Sequence, residues 1–438
     1  MWDRKQTLPL AGLLVLLAAL VGCDGATDRA AEHEPDAAGE ARLIELWAHQ
    51  GQERENAAMR GIIDAFNAAH TGDDLRAEIT FFPDRQYADK VSIASASGTL
   101  PDVIDIDGPY VGPWAAEGIL RPIDALIDDE LRADMLDSLI EQGTYEGDLY
   151  ALGAFDSALV VYYNRDMIER AGLEPPAVVE EAWSWDEFMA ALEAVKPHAA
   201  IPLSLHMDDQ SDEWLTYAFS PLIWSNRGRL IDTETHRAVG ILDGPAAVEA
   251  ITRWQDLFEA GLAEATSTRP DPFSDGLAAF DWTGHWMLPV FESAAALRFG
   301  VMPLPRLGEE HVAASGSWCW GVSSSCADPE AAALVLQWLL DPEHGIRPIV
   351  EANGAVPGRR SAFSLFPEYE QMPRRLFRAQ LQASAHPRPR TGVYLTLTGE
   401  FARALRDIAL GAEVANRLGQ AAQAVQRVLD RRQQTDSE

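Results

Sequence analysis

The sequence predicts an α/β fold in which mainly parallel sheets are covered by helices. Strand-like and helix-like patterns alternate from residue 41 to about residue 127, as parallel strands joined by crossover helices require. The alternation begins again at "LVVYYN" (159–164), which indicates a second unit of the same kind. With 438 residues, 47% of them hydrophobic, the chain is long enough for two or three domains with separate cores.

The first unit begins with "ARLIELWAHQ" (41–50), a buried strand that ends in polar residues. The helix after it carries its apolar residues on one face, at Ala58, Ile62, Ile63 and Phe66. The next elements are the strand "AEITFFP" (77–83), the helix "YADKVSIASASG" (87–98), the strand "PDVIDID" (101–107), and "WAAEGILRPIDALI" (114–127), which is helical with loops.

Strand and helix patterns occur again in the second unit. After the strand 159–164, a short helix over 166–171 stops at Gly172, and Ser184 with Glu187 forms a capping box that opens the next helix. The remaining predicted elements are the helix "AVEAITRWQDLFEAG" (247–261), the strands "FGVMPLP" (299–305) and "SGSWCWGVSS" (315–324), the helix "DPEAAALVLQWLL" (328–340), and two helical stretches over 400–432 separated by Gly411.

The charge balance excludes some classes of partner. The chain has 68 acidic against 35 basic side chains, a formal charge of −33. It therefore lacks the basic surface that nucleic acid or anionic lipid attracts. No calcium-binding loop pattern occurs, so the acidic residues are best explained as a solvated surface. The 13 tryptophans weakly favour an apolar ligand surface.

The N-terminus has the pattern of a lipoprotein signal. Arg4 and Lys5 precede an apolar run over 8–21, which is too short for a comfortable membrane span. The run ends in "LVGC", which resembles a lipobox, so we expect cleavage before Cys23 and a lipid on its sulfur. The polar residues 24–40 predict a flexible tether, and Asp24 resembles a signal for retention at the inner membrane.

The two remaining cysteines are not expected to pair. Cys319 and Cys326 lie on or just after a predicted strand, and seven extended residues would separate them by roughly 20 Å. A disulfide would form only if the chain doubled back between them. No nucleophile elbow, phosphate-binding loop, dinucleotide fingerprint or zinc motif occurs, and the histidines are scattered, so neither an enzyme, a metal site nor a cofactor is expected.

Several segments together resemble the extracellular solute-binding proteins of ABC importers, in the branch that includes maltose-binding proteins. The resemblance covers about residues 41 to 430. The segments are "IELWAHQG", "IIDAFNAAH", "SASGTLPDVIDID", "EGILRPID", "ALGAFDSALVVYYNRDMIERAGLEPP", "GLAAFDWTGHW" and "FGVMPLPRLG". Phe280 departs from the family pattern, which usually has methionine there, but this keeps the position apolar.

The resemblance implies a two-lobed periplasmic-binding-protein fold with ligand between the lobes. The expected divisions are 1–22 signal peptide, 23–40 tether, 41–153 with 313–350 as lobe 1, and 154–312 with 351–438 as lobe 2. It further implies a monomeric lipoprotein on the periplasmic side of the membrane, or on the outer face of a Gram-positive cell. That lipoprotein binds a mono- or oligosaccharide by lobe closure and delivers it to the permease subunits of an importer.

Sugars need aromatic platforms for their C–H faces and polar groups for their hydroxyls. Trp286 stands where the resemblance places a sugar-stacking tryptophan, and Gly284 would permit close backbone approach. Each of the other tryptophans and acids below could equally be core, cap or turn residues, and Arg359 could pair with an acid. The candidate ligand-binding residues are Trp47, His49, Gln50, Asp107, Asp156, Trp224, Trp282, Gly284, Trp286, Trp318 and Arg359.

Two other functions stay open from the sequence. A receptor for a non-sugar solute, such as a polyamine or a glycerol phosphoester, would have the same fold. A secreted glycoside-acting enzyme would need a pair of acids, and 68 acidic residues supply many candidates. The acid-rich chain mildly favours a cation, but an aromatic cleft suits a sugar better than a polyamine. Lack of glycan turnover together with tight stoichiometric binding would exclude the enzyme.

Overall fold

The structure is a computed structural model that describes residues 42–207, 211–266 and 269–436. The predicted signal peptide, Cys23 and the tether therefore lie outside the described residues. The strands are β1 (Arg42–Gln50), β2 (Leu75–Pro83), β3 (Val103–Asp107), β4 (Thr144–Tyr145), β5 (Asp148–Leu149), β6 (Ala151–Leu152), β7 (Phe155–Asp156), β8 (Leu159–Asn164), β9 (Ile201–Ser204), β10 (Ala278–Gly284), β11 (Phe299–Met302), β12 (Ala313–Ser315), β13 (Trp318–Val322), β14 (Val356–Pro357) and β15 (Ala385–Pro387).

Helices occupy most of the remaining chain. The α-helices are α1 (Glu53–Ala69), α2 (Asp84–Ser97), α3 (Val111–Ala116), α4 (Asp129–Asp134), α5 (Asp137–Gly143), α6 (Arg165–Ala171), α7 (Trp185–Val195), α8 (Asp212–Ser225), α9 (Pro245–Glu259), α10 (Leu288–Ser293), α11 (Pro329–Leu339), α12 (Arg347–Asn353), α13 (Arg374–Ser384), α14 (Tyr394–Ala409) and α15 (Val414–Asp436). Shorter 3-10 turns include Gly108–Tyr110 and His285–Met287, and Pro342–Ile346 forms one π turn.

The first sheet has the strand order β2-β1-β3-β13-β6. β1 pairs in parallel with β2 and β3, as the alternating pattern predicted, and α1 packs on β2 with its predicted apolar face. β13 pairs antiparallel with β3, so Trp318 at its start lies opposite Asp107 at the end of β3. Because parallel strands end at the same sheet edge, the polar residues after β1 and β3 come together there.

The second sheet, with the order β11-β8-β10-β9, corrects the prediction that its pairing is mainly parallel. Only β9 and β10 run in parallel, whereas β8 is antiparallel to both β10 and β11. The reason lies at the end of the sheet near Ser157 and His285. Ser157 precedes β8 and His285 follows β10, and both line the same cleft, so the two strands must run in opposite directions.

The helix ends follow the sequence signals. Ser184 and Glu187 form both hydrogen bonds of the capping box at α7. Gly172 ends α6 in the left-handed conformation, with φ of 67°, and Gly411 (φ 96°) separates α14 from α15. The apolar residues of these last two helices are buried with α8 and α9 against the second sheet.

The fold is a two-lobed α/β fold, because each sheet has its own flanking helices. The strands of the first sheet come from residues 42–152 and 318–322, and those of the second from 159–302. The lobe limits given above remain predictions. Cys319 and Cys326 are both buried and unpaired, which confirms the prediction that they do not form a disulfide. Within the described ranges, no helix is both long and apolar enough to traverse a bilayer.

Candidate ligand-binding cleft

A cleft of about 740 Å³ opens at the sheet edge where β1 and β3 end and where β10 ends. His49 and Gln50 reach it from the end of β1, and Asp107 from the end of β3. Trp286, directly after β10, contributes from the second sheet. The volume of the cleft is typical of sites that bury most of a small ligand.

Trp286 is a half-buried aromatic side chain with close neighbours on its protein side. Its six-membered ring lies so close to Gly284 that a Cβ at residue 284 would stand 2.1 Å from Cζ3 of the indole. Trp214 meets the indole edge-on at 6.1 Å between ring centroids, and Tyr217 lies at 6.3 Å. The ring is therefore held by neighbours on its buried side while it lines the cleft on the other.

Trp318 is fixed in a different way. The imidazole of His49 stacks on it, with the centroids 3.5 Å apart and the planes 12° from parallel. Nδ1 of His49 lies 2.5 Å from Oδ2 of Asp105, a carboxylate that the first sheet buries. His49 therefore supports the indole while also lining the cleft itself.

A chain of hydrogen bonds links buried groups on the side of the cleft that the second sheet forms. Nδ1 of His285 faces the carbonyl oxygen of Asn353 at 3.0 Å, so this nitrogen must carry the proton. Nε2 then accepts from the hydroxyl of Ser157 at 2.8 Å. Burial lowers the pKa of His285 to about 4, so the imidazole is neutral at physiological pH.

An ion cluster centred on Arg388 forms part of the cleft lining. Its guanidinium donates from Nη2 to Oδ1 of Asp107 at 2.7 Å and from Nη1 to Oδ2 at 3.0 Å. Nη1 also donates to Glu213, which in turn accepts from the hydroxyls of Tyr394 (2.5 Å) and Thr398 (2.9 Å). Asp107 belongs to the first sheet and Glu213 to α8, so Arg388 joins the two sides of the cleft.

The surroundings shift the pKa values of Glu213 and Arg388 strongly. Burial raises the pKa of Glu213 to about 7, although Arg388 acts in the opposite direction. Burial alone would lower the pKa of Arg388, but Asp107 and Glu213 raise it well above its ordinary value, so the guanidinium stays charged.

The cleft as a whole is acidic. Among its described lining residues, Arg388 is the only lysine or arginine, whereas the carboxylates are Glu55, Asp89, Asp107, Asp212 and Glu213. In the described part of the chain, no three His, Cys, Asp or Glu side chains are grouped as metal ligands. The site thus combines aromatic surfaces with hydrogen-bond acceptors, and its single cation is already paired.

The structure brings together five of the candidate residues from the sequence. His49, Gln50, Asp107, Trp286 and Trp318 line the cleft. Gly284 lies beneath Trp286 and acts on the site through that ring. Direct contact of these residues with a ligand stays a prediction.

Five other candidates lie outside the cleft lining, and we correct their placement. Trp282 is 1% exposed and packs between Phe188 and Phe219. Trp224 is buried on α8, where it stacks on His386 at 4.1 Å. Both indoles fill the core of the second lobe because their elements are covered on every side.

The remaining three have structural partners elsewhere. Trp47 packs against Phe82, with the ring centroids 4.9 Å apart. Asp156 is fully buried and accepts hydrogen bonds from the Ser138 hydroxyl at 2.6 Å and from the Ser157 amide at 2.7 Å. Arg359 pairs with Asp134 at 2.7 Å.

Sequence reasoning missed several cleft residues. Arg388 stands in "HPRPR", where nothing local distinguishes it from a surface arginine. Glu213 and Trp214 lie in the first turn of α8, where an acid is expected for its effect on the helix dipole. Ser157 and Tyr110 follow strands that end at the cleft, which is the one signal that could have identified them.

Two α/β lobes with a ligand-sized aromatic cleft define a solute-binding protein. The sequence model of the bacterial extracellular solute-binding proteins matches residues 50–346, and the chain belongs to that family. The family is described by the binding of a solute outside the cell.

Relatives share about a quarter of the residues. A binding protein of Brucella abortus is 24% identical over 249 residues, which cover 55% of this chain and 58% of that protein. The galactooligosaccharide-binding protein of Bacillus subtilis is 23% identical over 268 residues, 60% of each chain. The chain therefore spans less than two thirds of the length of these relatives.

Solved structures match over more of the chain. The cyclic α-maltosyl-1,6-maltose binding protein of Arthrobacter globiformis has a TM-score of 0.72 at 25% identity, covering 89% of this chain and 99% of that one. The glycerophosphocholine complex of UgpB from Mycobacterium tuberculosis has a TM-score of 0.76 at 20% identity, with the same coverage. The second similarity concerns the fold alone.

Proposed function

We propose that the chain is the substrate-binding lipoprotein of an ABC sugar importer. It captures a mono- or oligosaccharide in the cleft, closes its lobes by hinge motion, and presents the loaded form to the permease subunits. The "LVGC" pattern supports a lipid anchor at Cys23 on the periplasmic side of the membrane, or on the outer face of a Gram-positive cell.

The observation that carries the proposal is the composition of the cleft. Trp286 and Trp318 are half-buried indoles held in place by Gly284 and His49, and carboxylates stand beside them. A sugar ring needs this combination, since its C–H face stacks on an aromatic ring while its hydroxyls donate to acidic oxygens. The names of the Bacillus and Arthrobacter relatives, which bind oligosaccharides, support the same solute class.

A polyamine receptor is the second candidate, because the cleft has more carboxylates than cations. A cationic solute would pair with carboxylates of the lining such as Glu55 and Asp89. A glycerol phosphoester is less well supported, since its phosphate would face these carboxylates and Arg388 is already paired. A glycoside-acting enzyme would consume its glycan, so turnover would identify it.

The test is thermal melting of residues 24–438, which contain the whole compact unit 41–438, against sugars and polyamines. A ligand that binds the folded state alone raises the melting temperature as it saturates the site. We expect a shift with at least one sugar, lost in Trp286→Ala and kept in Trp338→Ala. Trp338 is a matched control because it is a half-buried tryptophan outside the cleft, packed on Phe66. A response to polyamines alone would replace the sugar proposal.

A further inference from the structure

Among the described residues that line the cleft, Arg388 supplies the one guanidinium. The side chain of Arg388 is 3% exposed, yet the residue lines the cleft. A guanidinium at such a place is the ordinary protein group for binding carboxylate or phosphate through two parallel hydrogen bonds. Arg388 therefore has the chemistry of an anion receptor.

Protein carboxylates already occupy that receptor. Asp107 forms a bidentate pair with Arg388, because its two carboxylate oxygens accept from Nη1 and Nη2. Glu213 accepts a further hydrogen bond from Nη1. The ring of Tyr217 covers one face of the guanidinium, 4.7 Å from Cζ. Both carboxylate side chains are 12% exposed and line the cleft beside Arg388, so a solute that approaches the guanidinium also meets them.

We propose that Asp107 and Glu213 are specificity-determining residues that occupy Arg388 and thereby exclude anionic solutes from the cleft. The inference rests on the proposed function and defines its solute class as uncharged or cationic. An anionic sugar would have to displace a carboxylate that is held as part of the protein, and it would meet the repulsion of the carboxylates that remain. An uncharged sugar meets neither obstacle.

The net charge of the cluster depends on which of its two carboxylates are present and ionised. With both carboxylates ionised, the cluster of Asp107, Glu213 and Arg388 carries one net negative charge. Removing the Asp107 carboxylate brings the net charge of the cluster to zero. It also leaves the bidentate hydrogen-bonding site on Arg388 open, so that an external carboxylate of the right size can fill it. Burial of Glu213, with its raised pKa, already brings the cluster towards neutrality near pH 7.

The experiment compares Asp107→Ala with Asp212→Ala, using D-glucuronate and D-glucose as probes in titration calorimetry. Asp212 is a matched control because it lines the same cleft and its loss changes the charge equally, but it pairs with Arg406 rather than Arg388. We expect Asp107→Ala to bind D-glucuronate at least about tenfold more tightly than the unaltered chain does, with no such gain for D-glucose or in Asp212→Ala. Adding Arg388→Met should abolish the gain.

Four results would overturn the proposal. These are no gain in a folded Asp107→Ala chain, an equal gain in Asp212→Ala, a gain that survives Arg388→Met, or tight D-glucuronate binding by the unaltered chain. If circular dichroism shows that Asp107→Ala does not fold, the isosteric variants Asp107→Asn and Glu213→Gln replace it, and absence of an Arg388-dependent gain in both would count against the proposal. The sugar panel on the unaltered chain tests the proposed function separately, because it does not depend on gained anion binding.

Discussion

Replacing Gly284 by alanine should act on Trp286 rather than on the backbone. Gly284 has φ of −106° and ψ of −178°, an extended conformation that any residue adopts. The added Cβ, however, would lie 2.1 Å from Cζ3 and 2.4 Å from Cη2 of the indole. Contacts of that length do not persist, so the ring must move away from β10 or the strand must shift.

The size of the effect follows from the two ways to relieve the overlap. If the ring stays in place, overpacking lowers the free energy of unfolding by about 1–3 kcal/mol. If the ring swings into the cleft, less stability is lost, but the indole leaves Trp214 and Tyr217 and occupies the ligand's space. Sugar affinity should fall in both cases, although residue 284 itself need not touch the ligand.

A double-mutant cycle tests this reasoning, with urea unfolding of the unaltered chain, Gly284→Ala, Trp286→Ala and the double variant. In the Trp286→Ala background the alanine at 284 has no ring to meet, so its cost should fall to within about 0.5 kcal/mol of zero. An equal cost in both backgrounds would refute the argument, since the overlap would then be with something other than the indole. Gly61→Ala is the control, because a Cβ there meets nothing within 4 Å.

Three further predictions concern stability. Gly61→Ala, in the middle of α1, should raise the free energy of unfolding by about 0.5–1 kcal/mol in the same urea assay. Arg359→Ala should lower it by about 1–3 kcal/mol, through loss of the Asp134 pair, while calorimetric sugar affinity stays unchanged. Burial lowers the pKa of His285 from 6.5 to about 4, so the stability from its neutral form is complete above pH 6.5 and is lost as pH falls towards 4, by up to about 3 kcal/mol. His285→Gln should flatten that part of the urea-derived pH profile, and an unchanged slope would contradict the assignment.

Local patterns were sufficient for most of the secondary structure. The apolar stripe of α1, the capping box at Ser184 and the glycine stops at Gly172 and Gly411 all depend on neighbours within about one helical turn. The direction of β8 depends instead on where its two ends lie in the folded chain. Strand alternation carries no such information, which is why the mainly parallel second sheet was predicted wrongly.

The tryptophans show where prediction of the site from sequence stops. Trp282 and Trp286 are four residues apart, and both stood as candidates for a sugar platform. β10 is buried at every position, so its sequence has no alternation that would show which way Trp282 faces. Trp286 reaches the cleft because it lies two residues beyond the end of β10. His49 and Gln50 reach it because they are the last two residues of β1.

The Arg388 cluster could not be predicted from the sequence, for a different reason. Asp107 and Glu213 are 281 and 175 residues away from Arg388 along the chain, so their meeting depends on the packing of both lobes. A single arginine among 35 basic residues carries no sign that its charge is already paired. The distinction decides the chemistry of the cleft, because an unpaired guanidinium would attract anions, whereas one held by two carboxylates leaves the aromatic and acidic surfaces to select the solute.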